Sequence, residues 1–293
     1  MIYTVRHLTA LDYGATVRLA RFNLRLKPAS WAGQRLIDYS LVVDPVPGAI
    51  TWDDGPWVAR RARLTIREPI ARLSIESRFT VDVAEPSFLT EAVAAPAVAQ
   101  VRELALLQQS LTATGPAAYL YASPMIAIVP EIARWSAPFF NGQTSALEAG
   151  RHLMAAIHRD FTYDSRATAS DTTPAQAFAK RRGVCQDFAH VMIAAARAHG
   201  IPAAYVSGYL RTEPPPGRPR LVGADAMHAW ACLWCGIEHG WIGFDPTNSI
   251  LAGSDHIFVA MGRDYSDVAP LDGVFHGGSA QKMRVAVDVI PAE

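Results

Sequence analysis

The sequence predicts an α+β protein in two parts. Residues 1–90 form a β-sandwich-like domain, 91–138 a connector, and 139–293 a unit of helices packed on an antiparallel sheet with a C-terminal strand extension. Three observations carry this reading. Apolar residues recur with period two through the first third, helical periodicity with clear start signals sets in at Ser145, and short apolar runs return after Pro202. Half of the 293 residues are hydrophobic and 18% are charged, which supplies ample apolar surface for packed cores.

In the first part Ala20, Phe22, Leu24 and Leu26 alternate with Arg21, Asn23, Arg25 and Lys27, the pattern of a half-buried strand. Ile37, Tyr39, Leu41 and Val43 repeat it up to Asp44-Pro45. Trp52-Asp53-Asp54-Gly55-Pro56 sets a glycine-containing turn between apolar flanks, a hairpin signal. Leu73, Ile75, Phe79, Val81 and Val83 mark the inner face of a further strand. Short strands with turns between them suggest a small sandwich. In the connector Val101, Leu104, Leu107 and Leu111 have helical spacing, but prolines punctuate the region, so short helices and extended pieces are expected.

The second part opens with Ser145-Ala146-Leu147-Glu148, a capping box in which serine and glutamate satisfy free N–H groups at a helix start. Leu147, Gly150, Leu153, Met154, Ile157 and Phe161 mark the buried face of that helix. Thr173-Pro174-Ala175-Gln176 repeats the start signal with proline at the first helical position. A third helix starts near Cys185 with a buried stripe of Phe188, Val191, Met192, Ala195 and Ala196, and Gly200-Ile201-Pro202 ends it. Strands follow around Ala204–Gly208, His228–Cys235 and Trp241–Asp245, and a last one over Met283–Val289. Between the first two of these, Glu213–Arg220 is proline-rich and reads as a stiff loop.

Bulk composition excludes several functions. Lys+Arg and Asp+Glu both number 27, so there is no basic excess of the kind a nucleic-acid-binding domain carries. No basic region followed by an apolar stretch opens the chain, and no window reaches the roughly 18 apolar residues of a membrane span. Three cysteines imply no disulfide framework. These features predict a cytoplasmic protein with neither nucleic-acid nor membrane partners; oligomeric state leaves no signal in the sequence.

The chemistry concentrates in Gly183-Val184-Cys185-Gln186-Asp187. The cysteine falls at the first turn of a helix, where free backbone N–H groups and the helix dipole stabilise an anion. The thiolate is the nucleophilic form of cysteine. A lone cysteine is most often a small buried residue, so a base is needed to make the case. His228 opens a strand, and Asp245 ends the next one at Gly243-Phe244-Asp245-Pro246. Antiparallel pairing across the Gly236–Gly240 turn sets that carboxylate near the imidazole. A nucleophile, a base and a group that orients the base make up a triad.

The strings GVCQDFAHVMIAAARAHGIPAAYVSGY, DAMHAWACLW and GWIGFDPTNS resemble the bacterial transglutaminase-like proteins, members of the papain-like cysteine enzyme superfamily. The match is dense from Ser145 to Ser249; the run from His256 to Tyr265 is also similar, and the N-terminal β region resembles the one that precedes such cores. The resemblance implies a papain-like transglutaminase core with Cys185 as nucleophile, His228 as base and Asp245 as orienter. It implies acyl transfer on amide or peptide bonds of a peptide or protein substrate, through a thioester. Hydrolysis by a protease or amidase is the leading expectation; protein-glutamine transamidation and a non-catalytic binding module are the alternatives. Animal transglutaminases usually carry tryptophan after the nucleophile, where Gln186 stands here, and they use calcium, for which no acidic loop with ligand spacing is present. No cofactor or metal is expected.

Other features have simpler readings. Cys232 and Cys235 are three apart on a strand, so their thiols point to opposite faces and make neither a redox pair nor half a zinc site. His190, His199 and His152 lie on helices without a partner at ligand spacing. Tyr163, ahead of the cysteine, is a candidate oxyanion donor or pocket wall, and equally a core aromatic; Trp230 is a candidate pocket wall or core.

Overall fold

The computed structural model describes residues 1–86, 95–108, 110–212, 225–277 and 280–292. The proline-rich loop expected at Glu213–Arg220 lies outside the described residues.

The first part is all β: β1 (Ile2–Val17), β2 (Leu19–Lys27), β3 (Gln34–Asp44), β4 (Ala49–Asp53), β5 (Arg60–Ile66) and β6 (Ile70–Val83). Along β1, Tyr3, Val5, Leu11 and Tyr13 are buried, but so are His7 and Thr9 on the same face. His7 bonds Tyr209 through Nδ1 at 2.9 Å and Thr9 through Nε2 at 3.0 Å. Two satisfied polar residues in the middle of its inner face hide this strand from a search for apolar periodicity. In β3 the expected inward Ile37 is exposed. Pairing with β6 steps from Leu36–Val81 to Asp38–Thr80, so Ile37 is the extra residue of a bulge and Leu36 takes the inner place.

The second part begins with α1 (Val98–Leu107) and α2 (Pro130–Ser136) in the connector region. Val101 and Ala105 anchor α1, whereas Leu107 and Leu111 are exposed. Then come α3 (Ala146–Asp160), β7 (Thr162–Tyr163), α4 (Pro174–Lys180), β8 (Arg182–Gly183) and α5 (Cys185–Ala198). Both start signals operate: Ser145 accepts from Glu148 N–H at 3.2 Å, and Thr173 with Gln176 makes a full capping box. Helix α5 is buried on every side from Asp187 to Arg197, not along one stripe. Its run of small alanines lets α2, α3 and α4 close over it while a sheet covers the remainder.

That sheet comprises β9 (Ala203–Leu210), β10 (Met227–Trp234), β11 (Trp241–Asp245), β12 (Ile250–Leu251) and β13 (His256–Gly262), in the antiparallel order β12-β11-β10-β9-β13. Ala229, Ala231 and Leu233 of β10 join the same core cluster as α5. Across its outer edge, β13 is bonded to the first part: Ala29 N–H to Val259 O at 2.9 Å, and Val58 with Met261 in both directions. The Gln34 amide donates to Phe258 O and accepts from Phe258 N–H, at 2.8 and 2.9 Å.

After α6 (Tyr265–Val268) the chain returns to the sandwich through β14 (Leu271–His276) and β15 (Gln281–Pro291). The sandwich sheets run β15-β1-β6-β3 and β14-β2-β5-β4, with Leu11, Phe22, Leu24, Leu64 and Ile75 packed in one cluster. The strand extension thus completes the N-terminal sheets, pairing with β1 from Tyr3–Pro291 to Tyr13–Gln281, and also meets the helical unit, where Asp225 N–H donates to Val287 O at 3.1 Å. Its Val287 and Val289 are fully buried. Deleting residues 281–292 is expected to cost at least about 3–6 kcal/mol from these two side chains alone, read as a lowered urea midpoint. An unchanged midpoint would refute the placement. Among the described residues no helix is long and apolar enough to cross a membrane.

Candidate active site

Three elements converge at one end of α5. The strand pair β7–β8 is parallel, with Thr162 opposite Arg182 and Tyr163 opposite Gly183, and it delivers the chain to the helix start. A Cβ at Gly183 would sit 2.5 Å from Asp187 Oδ2, so glycine admits the carboxylate that folds back over the turn. Asp187 Oδ2 accepts from Val184 N–H at 2.8 Å and from Thr168 Oγ1 at 2.7 Å. The first bond of the helix runs from Phe188 N–H to Val184 O, leaving the Cys185 N–H without an intrahelical acceptor. Cys185 itself is half-buried.

His228 stands near the start of β10, opposite Gly208 of β9. Pairing of β10 with β11 matches Ala231 to Phe244, and one step on brings Asp245 opposite Trp230, diagonal to His228. His228 Nε2 is 2.7 Å from Asp245 Oδ2, and Cys185 is the other group that acts on the same ring. With Nε2 engaged by the carboxylate, Nδ1 is the nitrogen left for sulfur. Burial alone pushes the imidazole down, but its hydrogen bond to Asp245 and the influence of neighbouring Cys185, with the charges of both, outweigh that and raise His228 to about 10.

Asp245 is fully buried and stays ionised by hydrogen bonding. Burial opposes its charge, yet His228, His256 and Asn248 hold it well below the usual carboxylate range. Oδ1 accepts from Thr247 N–H at 2.9 Å and Asn248 N–H at 3.2 Å, an Asx turn that ends the strand. Oδ2 accepts from His228, from Asn248 Nδ2 at 2.7 Å and from His256 Nε2 at 3.2 Å. One carboxylate therefore serves as turn residue and histidine orienter together. His256 and Asn248 escaped the sequence reading; the one available signal was their place inside strings shared with the family, His256 opening its run and Asn248 lying in GWIGFDPTNS.

The donor atoms of His228, Asp245 and His256 lie within 4.8 Å of one another. Both rings converge on the same carboxylate oxygen as hydrogen-bond donors, so the cluster is held together by its own hydrogen bonds.

The remaining candidates are resolved individually. Tyr163 is 57% exposed, lies opposite Gly183 and meets the Phe188 ring edge-on at 6.4 Å; burial and then the Cys185 charge raise its phenol above the usual value. Tyr205, fully buried, is raised well above its usual value by burial and then by the Cys185 charge. Cys232 and Cys235 belong to different core clusters, with burial pushing Cys232 up to about 12 and Cys235 higher still. His190 is fully buried, accepts from Tyr265 N–H at 3.2 Å and is pushed by burial down to about 4. His199 bonds Ser136 Oγ at 3.0 Å and stacks on Phe140. Trp230 is core and wall at once: it packs with Val206 and Phe258 and lines a cavity of about 750 Å³ between sandwich and sheet. Trp31, Gln34, Glu85 and His256 line the same cavity.

Residues 133–246 match the model of the transglutaminase-like superfamily, and residues 3–82 match that of the bacterial transglutaminase-like N-terminal region. An uncharacterised protein of Mycobacterium tuberculosis is 35% identical over 297 residues, covering 99% of this chain and 93% of that one. A protein-glutamine gamma-glutamyltransferase of Pseudomonas aeruginosa is 38% identical over 96 residues, 32% of this chain and 14% of that one. A solved structure from Cytophaga hutchinsonii, provisionally described as a cysteine protease, superposes with a TM-score of 0.70 at 20% identity over 100% of this chain and 92% of that one.

Proposed function

The chain belongs to the transglutaminase-like superfamily, and from that premise we propose that it is a cysteine-dependent acyl-transfer enzyme that hydrolyses amide or peptide bonds in a peptide or protein substrate. The observation that carries this is the convergence of Cys185 and the buried Asp245 on His228, whose Nε2 lies 2.7 Å from the carboxylate.

With Cys185 as thiolate and His228 protonated, sulfur attacks the carbonyl carbon and an oxyanion forms. The Cys185 N–H is in place to donate to it. The C–N bond breaks as His228 passes its proton to the leaving nitrogen, which departs as ammonia or an amine and leaves a thioester. Neutral His228 then takes a proton from water while the water oxygen adds to the thioester carbon. The C–S bond breaks, releasing the acid and restoring the thiolate–imidazolium pair. Asp245 keeps its charge throughout and holds the ring in orientation.

Hydrolysis ranks first because Cys185 is half-buried rather than enclosed and Tyr163, beside it in the chain's approach to α5, is 57% exposed, which supports access of water. Transamidation is the second reading, favoured by the likeness over 96 residues to the Pseudomonas aeruginosa gamma-glutamyltransferase. Glutamine-containing peptides incubated with and without dansylcadaverine separate the two. Ammonia release with free acid as the main product is the expected result; incorporation of the amine in excess of acid selects transamidation. Neither product, together with iodoacetamide labelling of Cys185 no faster than Cys232 and Cys235, would leave a binding module.

A further inference from the structure

Asp245 has more donors than a triad requires, and one of them comes from a separate strand. His256 heads β13 and is 4% exposed. Its Nδ1 accepts the Gly253 N–H at 3.3 Å, so that nitrogen carries no proton and the ring hydrogen sits on Nε2, 3.2 Å from Asp245 Oδ2. The Trp230 ring stands edge-on to it at 5.2 Å and 77°, which fixes the imidazole plane. The two histidine rings are 6.2 Å apart and address one oxygen.

We propose that His256 is a positioning residue of the acyl-transfer site, whose Nε2–H shares Asp245 Oδ2 with His228 and thereby sets how tightly the carboxylate holds the His228 proton. This rests on reading Cys185 and His228 as the reacting pair. The physical reason is division of a limited resource: a carboxylate oxygen that accepts three donors binds each less strongly than it would bind two. Without the His256 N–H the oxygen turns more fully to His228. The imidazolium then surrenders its proton to the leaving nitrogen less readily, and the step that frees the amine slows. Other titratable groups near His256 are engaged elsewhere or stand further round the cavity. Glu85 accepts from Ser254 N–H, Asp255 is held by Tyr3 and Arg211, and Cys232 and His239 line the cavity wall.

Two substitutions in the full chain separate this role from simple packing. His256→Gln keeps a side-chain N–H at nearly the reach of Nε2, whereas His256→Asn is too short to deliver one. Both are polar and smaller than histidine, so a packing defect alone would move them together. Cys185 is labelled with iodoacetamide across roughly pH 5 to 11, and the modified thiol is located by mass spectrometry. The upper step of the rate profile reports loss of the His228 proton. That step is expected to rise by about one pH unit in His256→Asn and to stay within about 0.3 unit in His256→Gln, the size a hydrogen bond to a charged group carries. Turnover of an amide substrate falls in the asparagine variant with KM unchanged and recovers in the glutamine variant. Equal shifts in the two variants, or no shift in either, overturn the proposal. Labelling of Cys185 in the natural protein no faster than Cys232 and Cys235 overturns the acyl-transfer reading itself, and this role with it.

Discussion

Cys185→Ala is expected to reduce amide turnover to background, and His228→Ala to lower it by at least about 10³-fold, because members of a triad act as a unit. The pH dependence of labelling distinguishes a triad from three neighbours. His228 is raised from 6.5 to about 10, so its charge persists through neutral pH and is lost only as pH climbs through the raised value. Iodoacetamide should therefore modify Cys185 readily at neutral pH, and His228→Ala should slow that labelling of the same half-buried thiol. The same shift bears on stability. A raised histidine contributes fully below its unfolded value of about 6.5 and progressively less up to about 10. Natural protein should lose stability over that window relative to His228→Ala; parallel stability curves for the two would count against the ion pair.

Among single substitutions Gly208→Ala carries the largest expected effect on folding. A Cβ there would lie 2.2 Å from the Ile257 carbonyl oxygen and 2.6 Å from the Trp230 ring. The first contact is with backbone, which cannot swing aside, so the added methyl must separate β9 from β13 or displace the indole. A cost of about 3 kcal/mol is expected from overpacking of this kind, measured as a shift in denaturant midpoint. Because Gly208 pairs opposite His228, the folded fraction should also label more slowly at Cys185. A cost below about 0.5 kcal/mol, the range of an ordinary surface change, would show that the contact is not tight.

Much of this was legible because local signals coincide with the chemistry. Gly183 before Cys185, the strand opening at His228 and the Asp245-Pro246 stop are each punctuation that a single chain reveals. What escaped depends on long-range partners. Strand β1 was silent because His7 and Thr9 occupy its inner face, and they are tolerable there only because Tyr209, more than two hundred residues away, completes their bonding. Periodicity sets Ile37 inward, whereas a bulge against β6 turns it outward, and bulges follow from pairing rather than from periodicity. His256 reads as one polar residue ahead of an apolar run; its purpose is visible only once β13 lies beside β9 and its ring faces Asp245. The apolar residues of helix α5 also fit a single stripe, whereas its alanines permit neighbours on all sides.

The bonds from Ala29, Val58 and Gln34 to β13 have a consequence beyond joining two parts. A terminal strand of a sheet offers a row of unsatisfied N–H and C=O groups that recruit strands from other molecules. Here that row is occupied from within the same chain, at the strand that carries His256. Severed from its sandwich, the helical unit would present a bare, apolar β13 to its own copies and be prone to self-association. The sandwich then serves as a guard of solubility, and excising the helical unit to obtain a minimal enzyme is the wrong way to shorten this protein.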